Sequence, residues 1–216
     1  MPHKKISVQE WGPYAWYYFH IMSYSFPDMN MNINMNKVHV SVHVSVQSIE
    51  NKLNNITNKK KSIIDFYKII SNVLPCETCQ NHYKKIMKVY PLEYSNNLTK
   101  NNLIHWVLNI HNSVNILTGK RKYSIERLNK LYILPGGKIN INHGFMIKII
   151  YFIVVSNPSI KWIQLLFQNM LITFPCMKCR GVLKSLYSKK KYRIDLLTLI
   201  KKWLLMTKHK TIIQLK

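Results

Sequence analysis

Apolar residues recur at intervals of three and four over most of this chain, which is the spacing that places them along one face of an α-helix. Asparagine-, proline- and glycine-rich punctuation separates the periodic stretches. The pattern predicts helices over residues 16–25, 62–73, 76–89, 101–117 and 160–174. A further apolar run, 145–155, is too short to span a bilayer and contains a lysine, so it predicts a buried helix. The sequence therefore predicts an all-α protein.

Segment 29–61 interrupts this pattern. It opens with MNMNINMNK and continues as VHVSVHVSV. Alternation with a period of two is typical of a strand, whereas the biased composition is typical of an inserted loop. We therefore expect a low-complexity insertion, looped and with a short hairpin, in which His39 and His43 are not ligands.

The second half of the chain repeats the first in outline. NVLPCETCQNHYKKIMKVY resembles TFPCMKCRGVLKSLYSKK, and NNLIHWVLNIH resembles LTLIKKWLLMTKH. The Pro-Gly-Gly at 135–137 marks a boundary between the halves. We expect two tandem helical bundles: a domain over 1–134 that contains the insertion, and a second domain over 135–216.

The charge and the cysteine content indicate which partners and which chemistry to expect. The chain has 32 Lys and Arg against 8 Asp and Glu, a net charge of +24, which attracts anionic partners at low salt. The basic residues are scattered, so we expect a solvated surface rather than a specific nucleic-acid site. The start of the chain has no apolar core of a secretory signal, and no transmembrane segment is expected. Four cysteines in two close pairs indicate redox chemistry or metal binding.

The first pair, Cys76 and Cys79, follows Pro75 and opens a predicted helix, where the backbone dipole favours a thiolate. Half of a zinc site has the same spacing, but paired half-sites usually lie about 15–20 residues apart, and Cys176 is a hundred positions away. A thioredoxin-like fold would need a strand before the motif, where a helix is predicted. A zinc-stabilised nucleic-acid-binding protein and an inactive helical interaction protein remain alternatives to a redox enzyme.

Two groups of aromatic and polar residues suit a planar ligand with a polar edge, such as isoalloxazine or adenine. Trp16 and His20 are four positions apart and share a helix face, with Gly12 one turn earlier. Glycine admits close approach, tryptophan offers a stacking face and histidine a polar edge. An aromatic core stripe with a satisfied histidine would give the same pattern.

A second group of residues favours a ligand pocket over an aromatic stripe in the core. His111 and Asn115 share a face of a helix whose other face is apolar, with Trp106 before them and Lys120 beyond. Such polar side chains are awkward in a core but line a pocket for a ligand rich in hydrogen-bonding groups. Lys120 would neutralise a pyrophosphate.

The series W-G-P-x-x-W-x-x-x-H, P-C-x-x-C and H-N-x-V-N followed by G-K resembles the FAD-linked sulfhydryl oxidases, typified by the augmenter of liver regeneration and its yeast and large-DNA-virus relatives. The resemblance covers about residues 11–123 around the insertion. It implies a four-helix bundle with a short fifth helix enclosing FAD. The residues that it places on FAD are Gly12, Pro13, Trp16, His20, Tyr24, Trp106, His111, Asn112, Val114, Asn115 and Lys120.

The resemblance also implies a reaction. Cys76 exchanges with thiols of protein substrates, Cys79 lies against the flavin, and electrons pass from the pair to FAD and on to molecular oxygen, giving hydrogen peroxide. No metal ligand is implied. The Asn/Lys/Ile-rich composition indicates an AT-rich genome. The lack of a secretory signal and a degenerate second bundle suit a viral enzyme working in host cytoplasm or in the virion, with the mitochondrial intermembrane space as the alternative.

The second half departs from the family pattern. Lys148 and Phe152 stand where Trp16 and His20 stand in the first half, so we expect no second FAD. Cys176 and Cys179 are expected to form a redox relay, a structural disulfide or part of a zinc site. The repeat also predicts an internal pseudo-dimer or a homodimer.

Overall fold

A computed structural model describes residues 6–27, 42–93, 98–156 and 159–188, together with residues 198, 200, 202 and 203. These ranges contain helices and no strand, so the all-α prediction is confirmed. The helices are α1 (Val8–Tyr24), α2 (Val42–Ile70), α3 (Glu77–Val89), α4 (Lys100–Leu117), α5 (Ile125–Tyr132), α6 (His143–Val155), α7 (Ile160–Thr173) and α8 (Met177–Ser188).

Side-chain caps fix where the helices begin. Ser7 and Glu10 form a capping box at the start of α1, so this helix begins ahead of the predicted position 16. Thr99 and Asn102 form the equivalent box at α4. The Sγ atom of Cys76 caps α3 by accepting from the backbone N–H of Cys79. Each cap satisfies backbone donors that the first helical turn would otherwise leave unpaired.

One hydrophobic core runs through both halves of the chain. Helix α1 packs against α4 and also against α6, and α2 packs along α7. At the junction Tyr18 lies 4.9 Å from Phe66 and 6.1 Å from Phe174, measured between ring centroids. The two N-terminal helices α1 and α2 therefore bury apolar side chains against C-terminal helices.

The loop expected over 29–61 is wrong for the part that the structure describes, because α2 begins at Val42. Residues 29–41 lie outside the described residues. The C-terminal turns of α2 bury Ile63, Phe66, Tyr67 and Ile70. Once those turns are packed, each further helical residue adds a backbone hydrogen bond, whereas a hairpin would need a new nucleus. Helix propagation therefore overrides the alternating valine pattern.

The Pro-Gly-Gly segment forms a tight turn between the halves. Gly136 and Gly137 adopt φ angles of 81° and 77°, which favour glycine. The turn lets Ile133 and Ile139 pair in an antiparallel bridge. The hydroxyl of Tyr17 in α1 donates to the carbonyl of Asn140 at 2.7 Å, which fixes the segment that follows the turn against α1.

Helix α6 is the apolar segment that the sequence predicts as a buried helix, and this prediction is confirmed. Its side chains Met146, Ile147, Ile150 and Ile153 are fully buried. No helix in the described ranges combines the length and the apolar character needed to cross a membrane.

Candidate functional site

A disulfide joins Cys76 to Cys79 at the N-terminus of α3. The backbone N–H of Cys79 donates to the Sγ atom of Cys76 at 3.2 Å. The turn before the helix is fixed because the Cys76 N–H and the Gln80 side chain both donate to the carbonyl of Leu74, at 2.8 and 2.9 Å. Both cysteines are half-buried. A partly accessible disulfide at a helix N-terminus is suited to thiol exchange.

Three of the predicted ligand residues meet between α1 and α4. The ring of Trp16 stacks on His111 with centroids 4.0 Å apart and planes 5° apart. The Nε2 atom of His20 and the Nδ1 atom of His111 are hydrogen-bonded at 2.9 Å. The Nδ1 atom of His20 is buried and has no hydrogen-bonding partner within the protein. The cluster thus has one buried polar atom left for a ligand to satisfy.

Both imidazoles are held neutral at physiological pH. Burial, followed by the charge of His111, lowers the pKa of His20. Burial, followed by the nearby Lys120 ammonium, lowers the pKa of His111. A buried pair of imidazoles hydrogen-bonded to one another carries one proton between the two facing nitrogens in its neutral form. Each ring therefore keeps a polar edge without a charge.

The segment after α4 folds back over the helix. Gly119, with a φ angle of 67°, ends the helix in the left-handed conformation, and the Lys120 N–H donates to the Asn115 carbonyl at 2.8 Å. Asn112 exchanges two hydrogen bonds with the backbone of Tyr123, at 2.8 and 3.0 Å. The Asn115 side chain donates to the Arg121 carbonyl at 3.2 Å. In this structure the two asparagines hold the loop that carries Lys120.

Trp106 and Tyr24 make their side-chain hydrogen bonds outside the histidine pair. The Nε1 atom of Trp106 donates to the Tyr90 carbonyl at 2.9 Å, and its ring meets Tyr67 edge-on at 5.1 Å. The hydroxyl of buried Tyr24 donates to the Asn129 side chain at 2.6 Å, which ties α1 to α5. Both residues thus brace the helices around the site.

The remaining predicted residues differ in exposure. Gly12 is buried in α1, and a Cβ atom there would meet the Val8 side chain at an ordinary distance of 3.6 Å. Pro13 is exposed in the same helix, and Val114 is half-buried in α4. These three make no polar side-chain contact by which the structure could assign them a role.

Two tyrosines belong to the cluster and were missed from the sequence. Tyr132 of α5 stacks against His20 at 5.1 Å between centroids, and Tyr123 lies 4.9 Å from His111. Arg127 in turn lies over the Tyr123 ring at 4.6 Å. Tyr123 follows the Gly119–Lys120 pair closely enough to have been a candidate, whereas nothing in the sequence links Tyr132 to His20.

The second cysteine pair forms a disulfide at the start of α8. Its Cys176 sulfur also accepts from the backbone N–H of the second cysteine, at 3.1 Å. Cys179 is fully buried, unlike Cys79. The Nε1 atom of Trp203 donates to the Cys179 carbonyl at 2.9 Å, and Trp203 is itself fully buried. Each disulfide therefore caps its own helix in the same way, but the second cysteine is half-buried in the first pair and fully buried in the second.

Comparison with known proteins identifies the family of this chain. The model of the Erv1 / Alr family matches residues 13–133, more than half of the chain. This chain belongs to the Erv1 / Alr family.

Two relatives show how far the similarity extends. Over 145 residues the chain is 30% identical to the probable FAD-linked sulfhydryl oxidase R368 of Acanthamoeba polyphaga mimivirus, covering 65% of this chain and 83% of the relative. It is 29% identical over 70 residues to the FAD-linked sulfhydryl oxidase ERV1 of Arabidopsis thaliana, covering 32% of this chain and 35% of that protein. No solved structure matches the chain.

Proposed function

We propose that this protein is a thiol oxidase that uses FAD to form disulfides in protein substrates. The observation that carries the proposal is the half-buried Cys76–Cys79 disulfide, capped on α3 within the family-matched part of the chain. The names of the mimivirus and Arabidopsis relatives support both the activity and the cofactor.

The residues around the histidine pair fit FAD. The buried His20 Nδ1 atom lacks a partner that an amino or hydroxyl group of the cofactor would supply. Half-buried Trp16 offers an aromatic face, and exposed Lys120 offers a cation for a pyrophosphate. We assign direct contacts to Gly12, Trp16, His20, His111 and Lys120. Their hydrogen bonds assign Tyr24, Trp106, Asn112 and Asn115 to bracing the site, and Pro13 and Val114 stay candidate FAD contacts on the resemblance alone. A bound FAD would accept the two electrons of the reduced cysteine pair and be reoxidised by molecular oxygen with release of hydrogen peroxide.

Cys76 is the cysteine that we assign to exchange with substrate. A substrate thiolate attacks its sulfur, the Cys76–Cys79 bond breaks, and Cys79 leaves as a thiolate. A second substrate thiol then attacks the substrate sulfur, so the substrate leaves as a disulfide and Cys76 is released as a thiolate. The Cys79 N–H at 3.2 Å and the α3 dipole stabilise that thiolate, which makes Cys76 a good leaving group. The chain thus gains two electrons for each substrate disulfide.

The direct test combines a spectrum with an assay. The purified protein is expected to show the visible absorbance of a bound flavin and to consume oxygen and produce hydrogen peroxide when it is given a reduced protein. The control is the variant with Cys76→Ser and Cys79→Ser, which should keep the flavin spectrum and lose turnover. A protein without flavin, or oxidation that survives in this variant, would refute the proposal.

For the C-terminal half we propose a degenerate second bundle over 135–216 that forms an internal pseudo-dimer with the domain over 1–134. In the sequence repeat α6 corresponds to α1 and α7 to α2, and these are the helices that pack on each other. Trp203 aligns with Trp106 but is fully buried beside Cys179, which supports the absence of a second FAD site. Buried Cys179 argues against a relay that exchanges with large protein substrates at the second pair.

We infer protein thiols as the substrates and a viral setting as the place of action. The mimivirus relative and the Asn/Lys/Ile-rich composition support a viral protein that acts in the host cytoplasm or in the virion. Fractionation of infected cells with an antibody to the protein tests this placement, and recovery from the mitochondrial intermembrane space would contradict it.

A further inference from the structure

A histidine from another helix joins the second cysteine pair. His143 is the first residue of α6, and Cys176 and Cys179 open α8. One ligand atom from each of the three, a ring nitrogen and two sulfurs, lie within 4.8 Å of one another. Imidazole nitrogen and cysteine sulfur are the ligands that zinc prefers in proteins. The residues come from distant parts of the sequence, so only the fold brings them together.

The surrounding structure holds the three residues in place. The Tyr17 hydroxyl accepts from the backbone N–H of Asn142, the residue that caps α6 directly before His143. On the other side, the Arg180 guanidinium donates to the carbonyls of Ile172 and Phe174 at 2.9 and 3.1 Å, which fixes α8 against the end of α7. The backbone on both sides of the cluster is therefore pre-positioned, as a metal site requires.

The cysteine pair has the geometry of half a zinc site once it is reduced. The two Cα atoms are 5.2 Å apart at a helix N-terminus. Zinc binds sulfur at about 2.3 Å, so tetrahedral coordination needs the two sulfurs about 3.8 Å apart. Breaking the disulfide allows that separation by side-chain rotation alone, while the dipole at the N-terminus of α8 favours thiolates.

We propose that the reduced Cys176–Cys179 pair and His143 form a Zn²⁺ site with three protein ligands and one open coordination position. A dithiol that reduces the disulfide is itself oxidised to a disulfide, and the two electrons appear as two cysteine thiols. Zn²⁺ binding then releases their two protons. Oxidised Cys176–Cys179 has no thiolate to offer, so metal binding depends on the redox state of the pair. Zn²⁺ in turn protects the two thiolates from reoxidation.

The first cysteine pair provides an internal comparison. Within the part of the chain that the structure describes, no third histidine, cysteine or carboxylate joins Cys76 and Cys79 in such a group. We therefore expect Zn²⁺ at the second pair and not at the first. The backbone N–H to Sγ distances are nearly the same in the two pairs, 3.2 Å in the first and 3.1 Å in the second.

The experiment titrates Zn²⁺ into the FAD-loaded full chain after anaerobic reduction with a phosphine and removal of the reductant. Free Zn²⁺ is followed with a chromophoric chelator. One tightly bound Zn²⁺ per chain is expected for the reduced protein and for its Cys76→Ser, Cys79→Ser variant. The Cys176→Ser, Cys179→Ser variant should lose that ion, and His143→Ala should bind it at least tenfold more weakly.

Co²⁺ provides a second readout, because its absorbance reports sulfur ligation and tetrahedral geometry. Reduced parent and His143→Ala are expected to differ in the Co²⁺ spectrum, since one nitrogen ligand is lost, while a flavin spectrum and melting temperature close to those of the parent show that the variant is folded. The proposal is overturned if the reduced protein binds no Zn²⁺, if the oxidised protein binds it equally well, or if the ion survives in the Cys176→Ser, Cys179→Ser variant.

Discussion

His20 and His111 share a hydrogen bond of 2.9 Å between Nε2 and Nδ1, across 91 positions of sequence. The bond joins α1 to α4 at the centre of the aromatic cluster, with Trp16 stacked on one of the two rings. Burial lowers the pKa of both imidazoles below their usual 6.5. The folded protein therefore binds fewer protons at this pair than the unfolded chain does in mildly acidic solution.

Acid should destabilise the protein through this histidine pair. Above pH 6.5 both states leave the imidazoles neutral, and below it only the unfolded chain takes up protons until the lowered native pKa values are reached. The free energy of unfolding should fall by about 1.5 kcal/mol per histidine between pH 6.5 and pH 5. Urea unfolding at several pH values, in excess FAD, measures this slope.

Two variants separate the pair from other groups that titrate in the same range. The double variant His20→Gln, His111→Gln should show a flatter dependence on pH than the parent. His105→Gln changes an exposed histidine of the same helix and should keep the parental slope. A double variant as steep as the parent would place the acid sensitivity elsewhere.

Cys79→Ser should trap substrate proteins on Cys76. Without Cys79 the exchange cysteine still forms a mixed disulfide when it meets an oxidised or activated substrate thiol, and no neighbouring thiol resolves it. Intact mass under non-reducing conditions should show the adduct. In Cys76→Ser the remaining thiol lies on the flavin side, so far less adduct is expected; equal trapping by both variants would reverse the two assignments.

His111→Ala should weaken FAD binding and remove most of the stabilisation that FAD provides. A ligand at a hundred times its Kd stabilises the native state by about 2.7 kcal/mol, which is several degrees in melting temperature for a chain of this size. The quantity to compare is the rise in melting temperature on adding FAD, since this excludes the packing that the substitution itself removes. His105→Ala should keep the parental rise, and an undiminished rise in His111→Ala would move the cofactor away from this ring.

Gly119→Ala should destabilise the loop that carries Lys120. The φ angle of 67° costs a residue with a Cβ atom about 1–2 kcal/mol. Gly181→Ala is the matched control, because Gly181 lies within α8 with open space around it and should gain up to about 1 kcal/mol in helix propensity. Chemical denaturation with and without FAD compares the two, and a neutral Gly119→Ala would show that the turn does not hold the loop.

The protein is expected to be a monomer in solution, because α6 and α7 already cover the apolar faces of α1 and α2. Light scattering coupled to size exclusion should give the mass of one chain over a wide range of concentrations. A stable dimer would show that a different surface drives association and that the internal pairing does not replace it.

Helical periodicity was enough to predict most of the bundle. Helices α3, α4 and α7 begin and end within one residue of the predicted limits, because each carries an apolar stripe, and side chains also cap the starts of α3 and α4. The valine alternation that runs into the start of α2 gave the wrong prediction, since it reflects only local preference and not the packing of α2 along α7. Local pattern therefore fails where a distant helix decides the outcome.

Candidate site residues were predictable where one helix face carried them together. Trp16 and His20 share such a face, and so do His111 and Asn115. Tyr132 stacks on His20 from α5, and the grouping of His143 with the second cysteine pair is equally remote in sequence. A single sequence contains no signal for such contacts, because they depend on how separate helices cross.

The tight Pro-Gly-Gly turn lowers the affinity that the interface between α1 and α6 needs in order to stay formed. Two free chains meet only as often as their concentration allows, whereas two halves joined by a short tether face each other at an effective concentration in the millimolar range. The joined interface therefore persists at any dilution. Its apolar side chains need only enough complementarity to fold together, so this surface can accept substitutions that would dissociate a pair of separate subunits.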